Sequence, residues 1–377
     1  MGESRAAFDE LLDTLREVAD RYAGDEWMVT APDDVAGALR AVMHGLGTAL
    51  ETQFEDDPKR PVFREIVTPW RKMLGDNPDA RYHDAAVHPD GVYRVRGNTG
   101  GAIYVSFTVE AGAADGRMPE RTAGVLNDTD FDVSPSGWFE LTIGGPPQVG
   151  AWLPLPEDAT RITVRHYWEQ RLVPAMPPAP SLDLAIDLID GAVPEHQPAV
   201  PTDASVATAI RRVATFVRSR VMEATPPPGS GAPPAFVSQT PNQFVPPVAP
   251  GQHALAAGDA AYSLAPYLLG PDEALVMRVR WPRCRYAGVA LWNRHLQTFD
   301  YLRRRVGLNR AQAKADADGV ATIVLAHRDP GVPNWLSTEG RPFGLVFWRF
   351  LLAEGDIDPI DAEVLPVDEV SERLRTR

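Results

Sequence analysis

A chain of 377 residues, 44 % hydrophobic and 23 % charged, is long enough for two or three domains with proper cores and has ordinary globular composition. Its formal net charge of −14 repels nucleic acid as a whole, and no uncharged stretch is long enough to span a bilayer, so nucleic-acid binding and membrane insertion are excluded as expectations. One cysteine, Cys284, leaves no disulfide framework, and the first thirty residues are charged and amphipathic where a signal peptide needs an apolar run; the expected location is the cytoplasm.

Residues 1–76 read as a helical segment. Phe8, Leu11, Leu12, Leu15, Val18 and Tyr22 recur at three- and four-residue steps, with Ser4 available to cap and Gly24 to stop the run. A second helix is expected after Thr30 as cap, with Pro32 in its first turn and Val35, Leu39, Val42, Leu46 and Leu50 as its apolar stripe. A third runs from Val62 to Leu74, kinked at Pro69. From residue 77 the period changes to two. Val92 to Arg96, Trp138 to Ile143 and Arg161 to Trp168 are β-branched and aromatic, punctuated by Gly, Pro, Asn and Asp, and predict an antiparallel β unit over 77–200. Residues 201–257 hold a helix capped by Asp203, carrying Val206, Ile210, Val213, Val217 and Val221, and then a linker. Nine prolines within 226–250 make that linker extended, and Phe236, Phe244 and Val245 suit a segment draped over a surface.

Residues 258–377 repeat the first β unit. A numbering offset of 182 carries Pro89-Asp90 to Pro271-Asp272, Arg96 to Arg278, Tyr104 to Tyr286 and Gly137 to Gly319, and an offset of 183 carries Trp152-Leu153 to Trp335-Leu336. The expected fold is mainly β with added helices: two tandem β-sandwich or jelly-roll-like units from an internal duplication, behind an N-terminal helical segment. An acidic tail follows Glu354. Trp152 and Trp335, present in both copies, are expected to be inward packing anchors.

Asp329-Pro-Gly-Val-Pro-Asn-Trp-Leu336, with Leu291-Trp-Asn-Arg294 before it and Phe347-Trp-Arg-Phe350 after it, resembles the bacterial domain-of-unknown-function family 1214. The first unit, with Trp152-Leu-Pro and Val164-Arg-His-Tyr167, is loosely similar to that family and to its usual N-terminal companion, family 1254. The resemblance implies β-sandwich or jelly-roll domains and no reaction, cofactor or catalytic residue.

The familiar phosphate-loop, nucleophile-elbow and zinc-helix motifs are absent. His83, His88 and His166 as a metal set, and Asn127 to Asp132 as a cation loop, both have blander readings, solvated or core histidines and a solvated strand face; no metal and no cofactor is expected. Residues shared by both copies are taken as needed by the fold, which directs attention to what one copy alone carries. Between Arg278 and Lys314 stand ten basic residues and one acidic residue, Asp300, so this run carries +9 and the rest of the chain −23. Two functions fit. In one, Arg294, Arg303 and Arg310, with Trp292, Asn293, Asp300 and Tyr301 and with His295 at hand, bind an anionic small molecule with an apolar part at the junction of the two β units, with or without turnover. Phe299 to Gln312, as a helix or turn, would then bring Arg303 and Arg310 together. In the other, the basic patch docks an acidic surface of a partner protein or of a second copy, as a noncatalytic assembly module or homo-oligomer. Pairing of the arginines with the acidic body is the alternative to both.

Overall fold

The period-two segments form two antiparallel sandwiches of the same strand order, in a computed structural model that describes residues 2–170, 179–224, 226–227 and 230–375. The parts of the expected first unit at 171–178 and of the linker at 225 and 228–229 lie outside the described residues. The first unit comprises β1 (Arg64–Glu65), β2 (Ala80–Ala86), β3 (Val92–Asn98), β4 (Tyr104–Ala111), β5 (Arg121–Asn127), β6 (Trp138–Gly144), β7 (Trp152–Leu153), β8 (Ala159–Tyr167) and β9 (Ala185–Asp190). Its sheets are ordered β1-β2-β8-β4-β5 and β7-β6-β3-β9. The second unit comprises β10 (Ala260–Leu268), β11 (Glu273–Arg280), β12 (Tyr286–Trp292), β13 (Gly307–Asn309), β14 (Val320–Ala326), β15 (Trp335–Ser337), β16 (Phe343–Leu351) and β17 (Asp361–Pro366), ordered β10-β16-β12-β13 and β15-β14-β11-β17. Each strand of the second unit occupies the place of one in the first, and only β1 lacks a counterpart among the described residues. Its position, the free edge of β10, is covered by the proline-rich segment, which bridges Val237 to Leu264 and Val248 to Tyr262. That segment is therefore draped, and it pairs an edge that would otherwise expose unpaired backbone groups.

The offset of the duplication holds at single atoms. Trp152 and Trp335 lie on short strands parallel to β6 and β14, and their indole N–H groups donate to Gly144 O at 2.9 Å and Ala326 O at 3.1 Å. Gly137 and Gly319 turn at φ 87° and 80°, a conformation that suits glycine. Both tryptophans are half-buried and not inward: they sit on the outer sheet of their sandwich, and Trp335 packs beside Val276, Val324 and Val370.

The described α-helices are α1 (Glu3–Tyr22), α2 (Pro32–Ala49), α3 (Asp203–Met222) and α4 (Val370–Arg375). Several sequence expectations are corrected here. Thr202 caps α3 in a reciprocal box with Ser205, while the Asp203 carboxylate accepts from the backbone N–H groups of Glu3 (2.6 Å) and Ser4 (3.2 Å) and so caps α1. Pro32 does open α2, but its N-cap is Ala31. The expected apolar stripe of α2 is split, because the helix buries its small face, Ala38, Ala41, Val42, Gly45 and Ala49, and leaves Val35, Leu39 and Leu50 exposed. Phe8 and Leu12 of α1 are likewise exposed. The expected helix at Val62–Leu74 is extended chain instead, contributing β1 and a Thr68–Arg71 turn. Pro61 and Pro69 remove helical donors, and Val62, Ile66 and Val67 prefer extended backbone. Asn127 to Asp132 leaves β5 as a turn in which Asn127 Oδ1 accepts from Thr129 N at 2.9 Å, not as a strand face. The acidic tail supplies β17, paired to β11; Asp361 and Glu363 suit a sheet edge that faces water.

The two units meet through sheet β1-β2-β8-β4-β5 of one and sheet β10-β16-β12-β13 of the other, with α1, α2 and α3 closing one flank. Val213, Phe216, Tyr22 and Trp27 share a core here with Tyr82, Tyr104, Tyr167, Tyr262, Tyr286, Trp292 and Phe347. A reciprocal clasp fixes the junction. Asp79, just before β2, accepts from Tyr286 Oη at 2.9 Å and Asn309 Nδ2 at 3.0 Å of the second unit. Asp259, just before β10, accepts from Tyr104 Oη at 2.6 Å and Asn127 Nδ2 at 2.9 Å of the first. Tyr104 and Asn127 precede Tyr286 and Asn309 by the offset of the duplication, and Asp79 precedes Asp259 by nearly the same separation. Within one chain this is the contact pattern of a twofold dimer interface, in which each copy gives what it receives.

Candidate functional site

Strands buried on both faces frame a cavity at this junction. On β16, Val346, Trp348 and Phe350 point into their own sandwich, leaving Leu345, Phe347, Arg349 and Leu351 for the junction. On β8, Ile162 and Val164 point inward and Thr163, Arg165 and Tyr167 outward. The cavity measures about 820 Å³, within the range of small-molecule sites. Its walls are largely apolar: Met28, Ile66, Val67, Met73 and Leu74 from the N-terminal segment, Trp292, Phe343, Leu345 and Phe347 from the second unit, and Phe236 and Pro234 from the draped segment.

Its polar pole is built twice. Arg165 faces Tyr82 across the β2–β8 ladder, and Arg349 faces Tyr262 across the β10–β16 ladder. Each residue of the first pair matches its counterpart in the second at close to the offset of the duplication, so both pairs are duplicates. All four residues are buried and line the cavity.

The two arginines differ in their neutralisation. Arg165 Nη2 lies 3.7 Å from Glu110 Oε1 and donates to Leu255 O at 2.8 Å, and Nη1 donates to Thr108 Oγ1. The position that matches Glu110 in the second unit, at the offset that relates Tyr104 to Tyr286, holds Trp292. Arg349 accordingly has no carboxylate within ion-pair distance among the described residues. Its Nη1 donates to Tyr167 Oη at 2.8 Å and more weakly to Tyr82 Oη at 3.4 Å, its Nη2 to Gly75 O at 3.0 Å, and its buried Nε has no hydrogen-bond partner. Three rings surround it, with the guanidinium carbon 4.8 Å from the centroid of Phe347, 5.5 Å from Tyr262 and 5.7 Å from Tyr167. Tyr82 and Tyr167 are hydrogen-bonded to each other at 3.0 Å. Burial pushes both phenols above their ordinary pKa, with Arg349 pulling the other way, so both remain protonated at neutral pH.

Around this pole burial shifts other groups. Glu110 is fully buried and pushed up to about 7 against the pull of Arg165. Asp79 rises to about 6 despite donors from Asn309 and Tyr286. Lys72 falls to about 8 under burial, with Asp76 opposing; its Nζ donates to Thr298 O at 2.7 Å and Phe299 O at 2.6 Å.

The residues expected from sequence are placed differently. Trp292 does line the cavity, with Nε1 donating to Asp76 O at 2.9 Å. Arg294 borders it, but its guanidinium is held by Trp27 O, Met28 O and Asp34, tying the second unit to the start of α2. Arg303 is exposed and pairs with Asp300 on the same turn, and Arg310 is held by Glu169 at 2.7 Å, Cys284 O and Arg285 O. Arg303 and Arg310 do not converge, because 299–312 is a turn followed by β13 and not a helix. Asn293 accepts from the backbone N–H groups of His295 and Gln297, and Tyr301 lies under Lys72, 4.4 Å from its Nζ. Asn293, Arg294, His295 and Asp300 do share a second cavity of about 320 Å³, with Asp33, Asp34, Arg40, Glu339 and Arg341. Its charges are mixed. Elsewhere in the basic run, Arg280, Arg283 and Arg285 pair with Asp358, Glu354 and Asp128. Six of the run's ten basic residues thus pair with acids of the same chain, Arg303 with Asp300 of the run itself, while Arg304 and Arg305 are exposed.

Sequence reasoning missed Arg165 and Arg349 as site residues, although both stand inside the strings Val164-Arg-His-Tyr167 and Phe347-Trp-Arg-Phe350. Neither was singled out there, because attention went to residues that one copy alone carries. As for metals, His83 and His166 are neighbours, ring centroids 6.4 Å apart, while His88 stands near Asp90. Among the described residues no three His, Cys, Asp or Glu side chains are arranged to hold a metal ion. Nor is any described helix long and apolar enough to cross a membrane.

Known structures with this architecture include an uncharacterised protein from Burkholderia cenocepacia, 24 % identical, with TM-score 0.81 over 96 % of this chain and 97 % of that one. The VPA0106 protein from Vibrio parahaemolyticus, 13 % identical, aligns over 94 % of this chain and 99 % of that one with TM-score 0.49. The first shares the fold. No family model and no curated protein matches the sequence.

Proposed function

We propose that the protein binds an anionic small molecule with an apolar part in the junction cavity, its head on Arg349 and its apolar remainder against Trp292, Met73, Leu345 and Phe347. The carrying observation is the contrast between duplicates: Arg165 has Glu110, while the buried Arg349 has no carboxylate at ion-pair distance among the described residues and keeps an unpartnered Nε. A buried guanidinium held by neutral donors and rings is well placed to receive a carboxylate, sulfate or phosphate ester through charge-assisted hydrogen bonds. The protonated tyrosines favour binding over base catalysis at this pole. The resemblance to family 1214 agrees with duplicated β units and names no reaction, and the lone cysteine suits a cytoplasmic protein.

Titration calorimetry and thermal shift with decanoate and decanol test this reading. Decanoate is expected to bind and to raise the melting temperature, and Arg349→Met to weaken it about 10- to 100-fold, the range of a hydrogen bond to a charged group. Equal binding of decanol, or undiminished decanoate binding by the variant, would overturn it. The assembly-module reading rests on the exposed Arg303, Arg304 and Arg305, since Arg285, Arg294 and Arg310 of the basic run face acids of the same chain.

A further inference from the structure

Glu110 stands behind the head-group pole. It lies on β4, where Tyr104, Ser106, Thr108 and Glu110 are all fully buried on the junction face. Its Oε2 accepts from Thr122 Oγ1 of β5 at 3.2 Å and from Leu255 N of the segment before β10 at 3.1 Å. Among the described residues its Oε1 has no hydrogen-bond partner, and it lies 3.7 Å from Arg165 Nη2 of β8. The other charged groups nearby are Arg161, opposite it on β8 and itself paired with Asp84 of β2 and Asp56. His253 presents its carbonyl, not its ring, to Thr122.

Resting on the reading above, we propose that binding of an anionic head at Arg349 is coupled to uptake of a proton by Glu110. Arg165 stands opposite Tyr82 on the β2–β8 ladder, Arg349 donates weakly to Tyr82 Oη at 3.4 Å, and both arginines line the same cavity, so they belong to one pole of low dielectric. A buried anion placed there repels the Glu110 carboxylate and competes with it for Arg165. Protonation answers both: the carboxyl becomes neutral, and Arg165 turns its charge toward the head. Little further shift is required, because burial already holds the Glu110 carboxyl at about 7. In the second unit Trp292 at the equivalent position cannot do this, which makes the device a property of one copy.

Calorimetry of decanoate binding at pH 7.5, in phosphate and in Tris buffer, reads the proton directly from the difference in apparent enthalpy. Decanoate itself stays ionised throughout. The expected result is net proton uptake in the wild type, with affinity falling toward tenfold per pH unit between pH 7.5 and 8.5. In Glu110→Gln the uptake disappears and affinity no longer depends on pH over that range. Should that variant not fold, Thr122→Val removes a donor to Oε2, raises the carboxyl further and moves the midpoint of the pH profile upward; an unmoved midpoint counts against the proposal. Binding without proton uptake overturns the coupling but leaves the binding reading intact, and uptake that survives in Glu110→Gln assigns the proton to Asp76 or Asp79 instead. Absence of decanoate binding removes the reading on which the coupling rests.

Discussion

Replacing each duplicated arginine by methionine separates a structural arginine from a ligand-facing one. Methionine keeps the length and apolar stem while removing the charge. In Arg165→Met the buried Glu110 carboxylate loses the cation at ion-pair distance, and Thr108 Oγ1 and Leu255 O lose a donor. Breaking one side of a buried pair costs about 3 to 5 kcal/mol. In Arg349→Met no carboxylate at ion-pair distance is orphaned. Two hydrogen bonds, to Tyr167 Oη and Gly75 O, are lost at about 1 kcal/mol each, and release of a buried, unpaired charge offsets part of that, so the net cost is about 0 to 2 kcal/mol. Urea denaturation at pH 8, comparing midpoints at constant slope, measures both. Without Arg165 the Glu110 carboxyl rises further, so the Arg165→Met penalty shrinks as pH falls toward about 7 and is flat below it. A penalty for Arg349→Met equal to that for Arg165→Met would refute the claim that only one copy is neutralised from within.

The Asp79 carboxyl, held at about 6, binds its proton in the folded state where the unfolded chain has lost it; its contribution is complete below about pH 4 and lost as pH rises through 6, on the order of 3 kcal/mol, so Asp79→Asn should flatten stability between pH 4 and 6 in a series of denaturation curves. Tyr104→Phe and Tyr286→Phe each remove one donor from a clasp carboxylate and should cost about 1 to 3 kcal/mol each, read from denaturation midpoints; a negligible loss in both would remove the clasp as a source of rigidity. Trp348→Ala, emptying the interior of the second sandwich, should cost about 3 to 5 kcal/mol, whereas the half-buried Trp335→Ala should cost clearly less; the reverse order would restore Trp335 as the inward anchor.

The duplication was legible because turns and strand starts keep their chemistry: Gly137 and Gly319 need the same positive φ, and Tyr104 and Tyr286 have the same partner type. The tail strand β17 and the draped segment were not fully legible as sheet components. One is acidic and the other proline-rich, and edges select against the pattern that marks a central strand. The helices show the same limit. Periodicity found α1 and α2, but which face is buried depended on neighbours; α2 packs Ala38, Ala41, Gly45 and Ala49 inward, with the Arg220 side chain close to Gly45. Caps misled too, since Asp203 serves the helix beside it.

The site was hidden by a rule that is sound for packing and fails for an internal twofold. Residues in both copies do hold the fold where they face their own sandwich, as Leu153 and Leu336 do. At the junction the two copies face each other, so duplicated residues serve one place from both sides: Tyr82, Tyr262, Arg165 and Arg349 line one cavity, and Asp79 and Asp259 each accept from a tyrosine of the other unit. Duplication thereby assembles a polar pole that no single unit contains. It also creates a problem, because two buried guanidiniums on one axis repel. Among the described residues the chain sets a carboxylate at ion-pair distance on one side only, Glu110 beside Arg165, and places Trp292 at the matching position. What distinguishes a site from a scaffold here is the asymmetry between equivalent positions, and the difference that mattered lay among buried residues: a carboxylate on one side and an indole on the other, facing the same kind of arginine.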